Sequence, residues 1–145
     1  MKKTIIIILT IVISIVFIIG IRYYNYTTQY DSIIKENAKF EEYKDKEITG
    51  IELVTLMNRT VDKNTKNKIE KDENGIFIPN EENSIEIEIY MQDNQKTYKM
   101  ETIYNAGTEQ FIKYYRDIKF KCSKIEYHTK TGRVKYMLFE QLETS

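Results

Sequence analysis

The sequence predicts an α+β protein: an N-terminal transmembrane helix extended into a stalk, then a small antiparallel sheet in the order β-β-α-β-β with packed helices. Three observations carry this. Residues 4–21 are all Ile, Leu, Val and Phe apart from Thr4, Thr10, Ser14 and Gly20, with no charge. A helix-capping signal stands at Thr49-Gly50-Ile51-Glu52. Beyond Ile85 the apolar residues recur at every second position, the period of a strand with one buried face. The expected parts are a membrane anchor at 1–22, a helical stalk at 23–46 and an extracytoplasmic α+β domain at 47–145.

The anchor comes first. Eighteen helical residues at about 1.5 Å each approach the ~30 Å hydrocarbon core of a bilayer. Lys2 and Lys3 precede the run, and Arg22, Tyr23, Tyr24 and Tyr26 follow it, as a membrane–water interface favours. A basic start before an apolar run also describes a signal peptide, whose cleavage needs small residues at the exit. Here the exit reads Phe17-Ile18-Ile19-Gly20-Ile21-Arg22, so an uncleaved signal-anchor is expected. Lys2 and Lys3 outweigh Arg22 near the ends, which places the N-terminus in the cytoplasm and the domain outside.

The stalk, 23–46, continues the helix with a loose apolar stripe of Tyr26, Tyr30, Ile33, Ile34, Ala38 and Phe40. No heptad persists, so the stripe is expected to pack on the domain rather than form a coiled coil. At the capping box the Thr49 hydroxyl meets the Glu52 N–H, and the Glu52 carboxylate returns to the Thr49 backbone. Ile48 and Leu53 form the flanking hydrophobic staple. Leu53, Val54, Met57 and Val61 share a face, predicting a core helix from 50 to about 63.

Asp72-Glu73-Asn74-Gly75 suits a hairpin turn between short strands at 68–70 and 76–78. Ile85, Ile87, Ile89 and Met91 alternate with Glu86, Glu88 and Tyr90 as a half-buried strand. After a turn at 92–95 the chain returns as a strand over 97–104, with Tyr98 and Met100 inward. Gly107-Thr108 opens a short helix presenting Phe111, Ile112 and Tyr115. Ile118, Phe120 and Cys122 begin another strand, and Ile125 and Tyr127 continue it in opposite phase, so a bulge is expected near Ser123-Lys124. A turn at 129–132 leads to a last strand along which Val134, Tyr136 and Leu138 alternate, as residues of one face do.

Charge and composition narrow the function. The chain balances 22 basic against 22 acidic side chains. Without Lys2, Lys3 and Arg22 the remainder carries 19 against 22, and the charges are interspersed. That gives no electrostatic case for nucleic acid. About 100 residues after the stalk suffice for one small domain. Cys122 is alone, so no internal disulfide forms. The 24 Ile, 10 Asn and 18 Lys against 4 Arg read as the codon bias of an AT-rich genome, under which sequons at Asn25 and Asn58 arise by chance.

No residue receives a catalytic, cofactor-binding or metal-binding role. Cys122 and His128 are six apart on one strand, about 20 Å when extended, and the expected places are a buried Cys and a surface His. One Cys and one His cannot complete a zinc site. Residues 62–73 superficially match a calcium loop, but Lys66 stands at a ligand position and Asn67 where the turn needs Gly. Glu86 and Glu88 share one strand face, as a solvated face would. The 12 tyrosines, Tyr90, Tyr98, Tyr104, Tyr114 and Tyr115 among them, are read as half-buried strand residues ahead of a recognition patch.

The segments Phe40-Glu41-x-Tyr43, Lys46-Glu47-Ile48-Thr49-Gly50-x-Glu52-Leu53-Val54, Lys124-Ile125-Glu126-Tyr127-His128 and Val134-Lys135-Tyr136 carry a resemblance. They resemble those of small single-pass membrane-anchored proteins of AT-rich Gram-positive bacteria, and the resemblance implies no activity or site residues. The architecture is also similar to that of type IV pilin-like proteins, which run a membrane helix into an antiparallel sheet. Their Gly-Phe-Thr-Leu-Ile-Glu type segment is missing, since Lys3 leads straight into Thr4-Ile5-Ile6 with no Glu in the run. The expectation is a membrane-tethered, non-catalytic binding or scaffolding domain with a protein partner at the cell surface. A pilin-like subunit of a pilus or secretion system is the alternative.

Overall fold

The computed structural model describes residues 2–143; Met1, Thr144 and Ser145 lie outside them. The chain divides into two units, Met1–Glu36 and Asn37–Ser145. Helix α1 spans Lys2–Glu41. In the first unit it is long and apolar enough to cross a membrane, with an 18-residue window of mean hydropathy 3.2 and none of that window buried. Thr10 and Ser14 return their hydroxyls to the carbonyls of Ile6 and Thr10, which satisfies both groups within the helix.

The second unit is α+β, as its sequence predicts. After the last residues of α1 come β1 (Glu47–Thr49), α2 (Gly50–Lys66), β2 (Glu86–Met91) and β3 (Lys96–Lys99). Then follow α3 (Met100–Ala106), α4 (Thr108–Tyr115), β4 (Lys119–Tyr127) and β5 (Val134–Gln141). The five strands form one sheet in the order β1-β4-β5-β2-β3. It is mixed rather than wholly antiparallel: β2 and β5 run parallel, from Glu86 beside Tyr136 to Tyr90 beside Glu140. The reason is topological. The β2–β3 and β4–β5 hairpins join through β2 and β5, and the α3–α4 crossover between them lets these two strands point the same way.

The capping box is present: the Glu52 Oε2 accepts the Thr49 N–H at 2.7 Å, and the Thr49 hydroxyl accepts the Glu52 N–H at 3.4 Å. α2 buries Leu53, Val54, Met57 and Val61, together with Leu56, Thr60 and Asn64, and runs to Lys66. Ile48 is more than a staple residue. It is fully buried and pairs with Phe120, extending the sheet by a three-residue edge strand too short to announce itself by alternation. Residues 62–66, the first part of the stretch that superficially matches a calcium loop, are helical.

The 72–75 turn forms, with Gly75 at φ 75° and the Asp72 carboxylate accepting the Asn74 and Ile76 N–H groups. Its flanks pair only at Lys71 and Phe77. Ile87, Ile89 and Met91 face inward as expected. The return strand is shorter than expected. It stops at Lys99, and residues 100–106, whose first part falls in the predicted strand, are helical. Met100 is nonetheless buried. α4 presents Phe111 to the core, where it packs on Tyr115 and Phe120 at ring-centroid distances of 5.0 and 5.9 Å.

The bulge at Ser123 is where the phase change places it: Cys122 pairs with Phe139 and Lys124 with Leu138. A second irregularity pairs Glu126 with Tyr136 and Tyr127 with Val134, leaving Lys135 as an extra residue on β5. This corrects the expected phase of β5. Val134 faces in, but beyond the bulge the inward residues are Met137 and Phe139, while Tyr136 and Leu138 are half-buried on the opposite face.

Candidate binding site

The β2–β3 hairpin overhangs α3 and α4, and the space between them is an apolar pocket of about 200 Å³. Met91 comes from β2, Tyr98 from β3, Ile103 from α3, and Phe111 and Tyr115 from α4; Asn94 stands in the turn. The inward phase of the hairpin directs Met91 and Tyr98 there, because Tyr98 lies opposite the buried Ile89. The helical spacing 111–115 supplies the rings from below.

Polar groups hold the turn over this pocket. Burial and then the nearby Asp93 carboxylate push the Tyr115 phenol up. Gln141 Nε2 donates to the same carboxylate at 2.9 Å, and Gln141 Oε1 accepts the Gln92 N–H at 3.0 Å. Asn94 Nδ2 donates to the Tyr98 hydroxyl at 2.7 Å. The arrangement is an apolar hollow with two phenol hydroxyls, an amide and a carboxylate about it. None of the side chains lining it pairs a nucleophile with a base.

Two further features lie outside this pocket. A larger open cleft of about 570 Å³ lies between α2 and the start of α4, lined by Asn58, Arg59, Asp62, Tyr104, Thr108 and Glu109. Its charges are exposed and of both signs, and Arg59 also faces Glu42 at 4.0 Å. Glu101 is buried, 4 % exposed, and burial pushes its carboxyl up. It lines neither hollow.

The residues singled out in the sequence scatter. Cys122 is buried, its thiol raised to about 11 chiefly by desolvation, with Sγ 3.6 Å from the Lys124 carbonyl oxygen. His128 is not on the surface. It is 2 % exposed, Nε2 lies 2.8 Å from the Ser84 carbonyl oxygen, and Nδ1 has no partner among the described residues. The turn after β4 closes on His128 through its N–H to Arg133 and its carbonyl to Gly132, which tucks the ring under residue 84.

Glu86 and Glu88 share the outer sheet face and both are engaged. Glu86 faces Lys99 at 3.9 Å, and Glu88 accepts the Tyr136 hydroxyl at 2.8 Å; burial first, and then that carboxylate, push the phenol up. Of the tyrosines, Tyr98 and Tyr115 meet in the pocket, Tyr104 lines the cleft, Tyr90 lies on the outer face and Tyr114 is exposed. Among the described residues no group of three His, Cys, Asp or Glu side chains is placed to hold a metal ion. Asp93, Asn94 and Gln141 carried no signal in the sequence, because their roles depend on a turn meeting a distant strand end.

No protein-family model matches the chain, and neither a curated protein nor a solved structure is detectably similar to it.

Proposed function

We propose that this protein is a single-pass, membrane-tethered binding domain, displayed outside the cytoplasm, that holds a macromolecular partner without transforming it. The observation that carries the reading is the exposure of the apolar run. Ile5, Leu9, Val16 and Phe17 are more than half exposed, the rest of the run is exposed too, and the buried core of the second unit includes none of them. An apolar surface of that extent is stable in lipid and a liability in water. The basic Lys2 and Lys3 before the run support the orientation. The aromatic pocket supports binding, since an apolar hollow ringed by a few polar groups is the usual form of a recognition site.

Two measurements test this together. External protease on intact protoplasts should degrade the domain and leave the anchor in the membrane; full protection until detergent lysis would overturn the orientation. A photocrosslinking residue placed at Ile103, beside the pocket, should capture a macromolecule in native membranes, whereas one at Thr55 on the exposed side of α2 should not. Equal capture from both, or none from either, would overturn the binding reading.

A further inference from the structure

The pocket lies beside an open sheet edge. β3 has β2 on one side, and among the described residues no strand lies on the other. The outward N–H and C=O groups of such an edge are a template for one more strand. A strand laid along β3 at the ~4.8 Å sheet spacing would send every second side chain to the Tyr98 face, over the pocket between Tyr98 and Ile103. The pocket volume, about 200 Å³, is below the ~300–1,000 Å³ of a typical small-molecule site and suits one apolar side chain.

We propose that β3 receives an extended acidic peptide segment of the partner as an added strand, with one apolar side chain seated in the pocket. This deepens the binding reading above and rests on it. Charge selects the occupant. β3 reads Lys96-Thr97-Tyr98-Lys99 and carries no acidic residue. Two copies pairing edge to edge would bring together two strands whose only charges are positive, and like charges facing each other across strands are destabilising. Acidic residues flanking the apolar one instead lie on the face away from Tyr98, where they meet the opposite charge of Lys99. Lys99 remains 44 % exposed beside Glu86, while the nearby Asp93 carboxylate already accepts from Gln141 Nε2. Backbone pairing supplies the attraction and the pocket the selectivity, as in other cases of strand addition.

The test uses the full chain in detergent micelles and a synthetic heptapeptide, Glu-Val-Glu-Phe-Glu-Val-Glu. Two versions of it are N-methylated at alternate residues, the odd in one and the even in the other. A strand presents alternate amides to its neighbour, so one methylated version should bind at least about tenfold more weakly and the other nearly as well. The peptide should also slow hydrogen exchange at β3 amides. Ile103→Trp, which fills the pocket, should weaken binding without altering the far-ultraviolet spectrum; the N-methyl comparison stands on the unmodified protein if that variant misfolds. Equal binding of both methylated versions, no saturable binding of the acidic peptide, or β3-to-β3 crosslinks between two copies would overturn the proposal. Capture from Ile103 alongside any of these results would overturn strand addition alone and leave the binding function standing.

Discussion

Gly50 shows how much one hydrogen atom can carry. A Cβ there would stand 1.9 Å from the Tyr115 carbonyl oxygen and 2.7 Å from its carbon, both backbone atoms that cannot swing aside. The close approach lets the Gly50 N–H reach the Ile118 carbonyl at 3.0 Å and the Ile51 N–H reach that of Arg116 at 3.2 Å. Those are N–H groups at the start of a helix, which lack partners inside it. Gly50→Ala should therefore lose about 1–3 kcal/mol by forcing α2 away from the end of α4. Urea unfolding would measure it, and a loss below about 0.5 kcal/mol would show that the two elements separate freely. The capping box around this glycine is legible in the sequence because it is local. The glycine's own role is not, since the atom that excludes a side chain belongs to residue 115. His128 makes the same point: it is buried, and its ring is answered by the Ser84 carbonyl, which only the fold brings near.

At the level of elements, the two bulges decide which residues form the core. Along β4 the phase change from Cys122 to Ile125 is visible in the apolar pattern, and Ser123 is the inserted residue. On β5 the insertion at Lys135 falls between Val134 and Met137, where Tyr136 and Leu138 are also apolar, so alternation alone cannot choose between the faces. Substitution can. Met137→Asp buries an unpaired carboxylate at a fully buried position and should cost more than about 3 kcal/mol. Leu138→Asp sits on the half-buried outer face, opposite Lys124 on one side and Glu88 on the other. It should cost about 1 kcal/mol. Thermal or urea melts of the two variants check the phase directly, and the reverse order of losses would restore the face expected from the sequence. α3 has a similar explanation. Thr97 to Tyr104 alternates as a strand might, but Met100 and Glu101 bury themselves on a helical turn against β2 and the 76–78 segment.

On the scale of the whole molecule, the globular unit claims chain that the sequence assigns to the stalk. Phe40 is 3 % exposed in the core, and the Tyr43 ring meets Phe139 edge-on at 6.4 Å. Asn37 donates to the Gly132 carbonyl at 2.8 Å and accepts the Val134 N–H at 3.0 Å, while Glu41 accepts the Tyr127 hydroxyl at 2.8 Å. Residues 37–145 expressed alone should unfold in one cooperative step. Residues 47–145 should be less stable by more than about 3 kcal/mol, because a buried Phe and the Asn37 bridge are both removed. Denaturant unfolding of the two fragments makes the comparison, and equal stability would show that the core closes without Phe40.

The features that belong to short stretches of chain could be read directly: the apolar run, the cap at Thr49, the buried face of β2, the turn at Gly75 and the bulge at Ser123. Each rests on interactions within a few residues or on a period set by the backbone. The parallel pairing of β2 with β5, the edge strand at Ile48, the burial of His128 and the gathering of Tyr98, Ile103, Phe111 and Tyr115 into one pocket required the tertiary structure. Those depend on which distant segment supplies the missing hydrogen bond or fills the space. A sequence specifies such meetings only through the sum of all its contacts, and no local pattern records them.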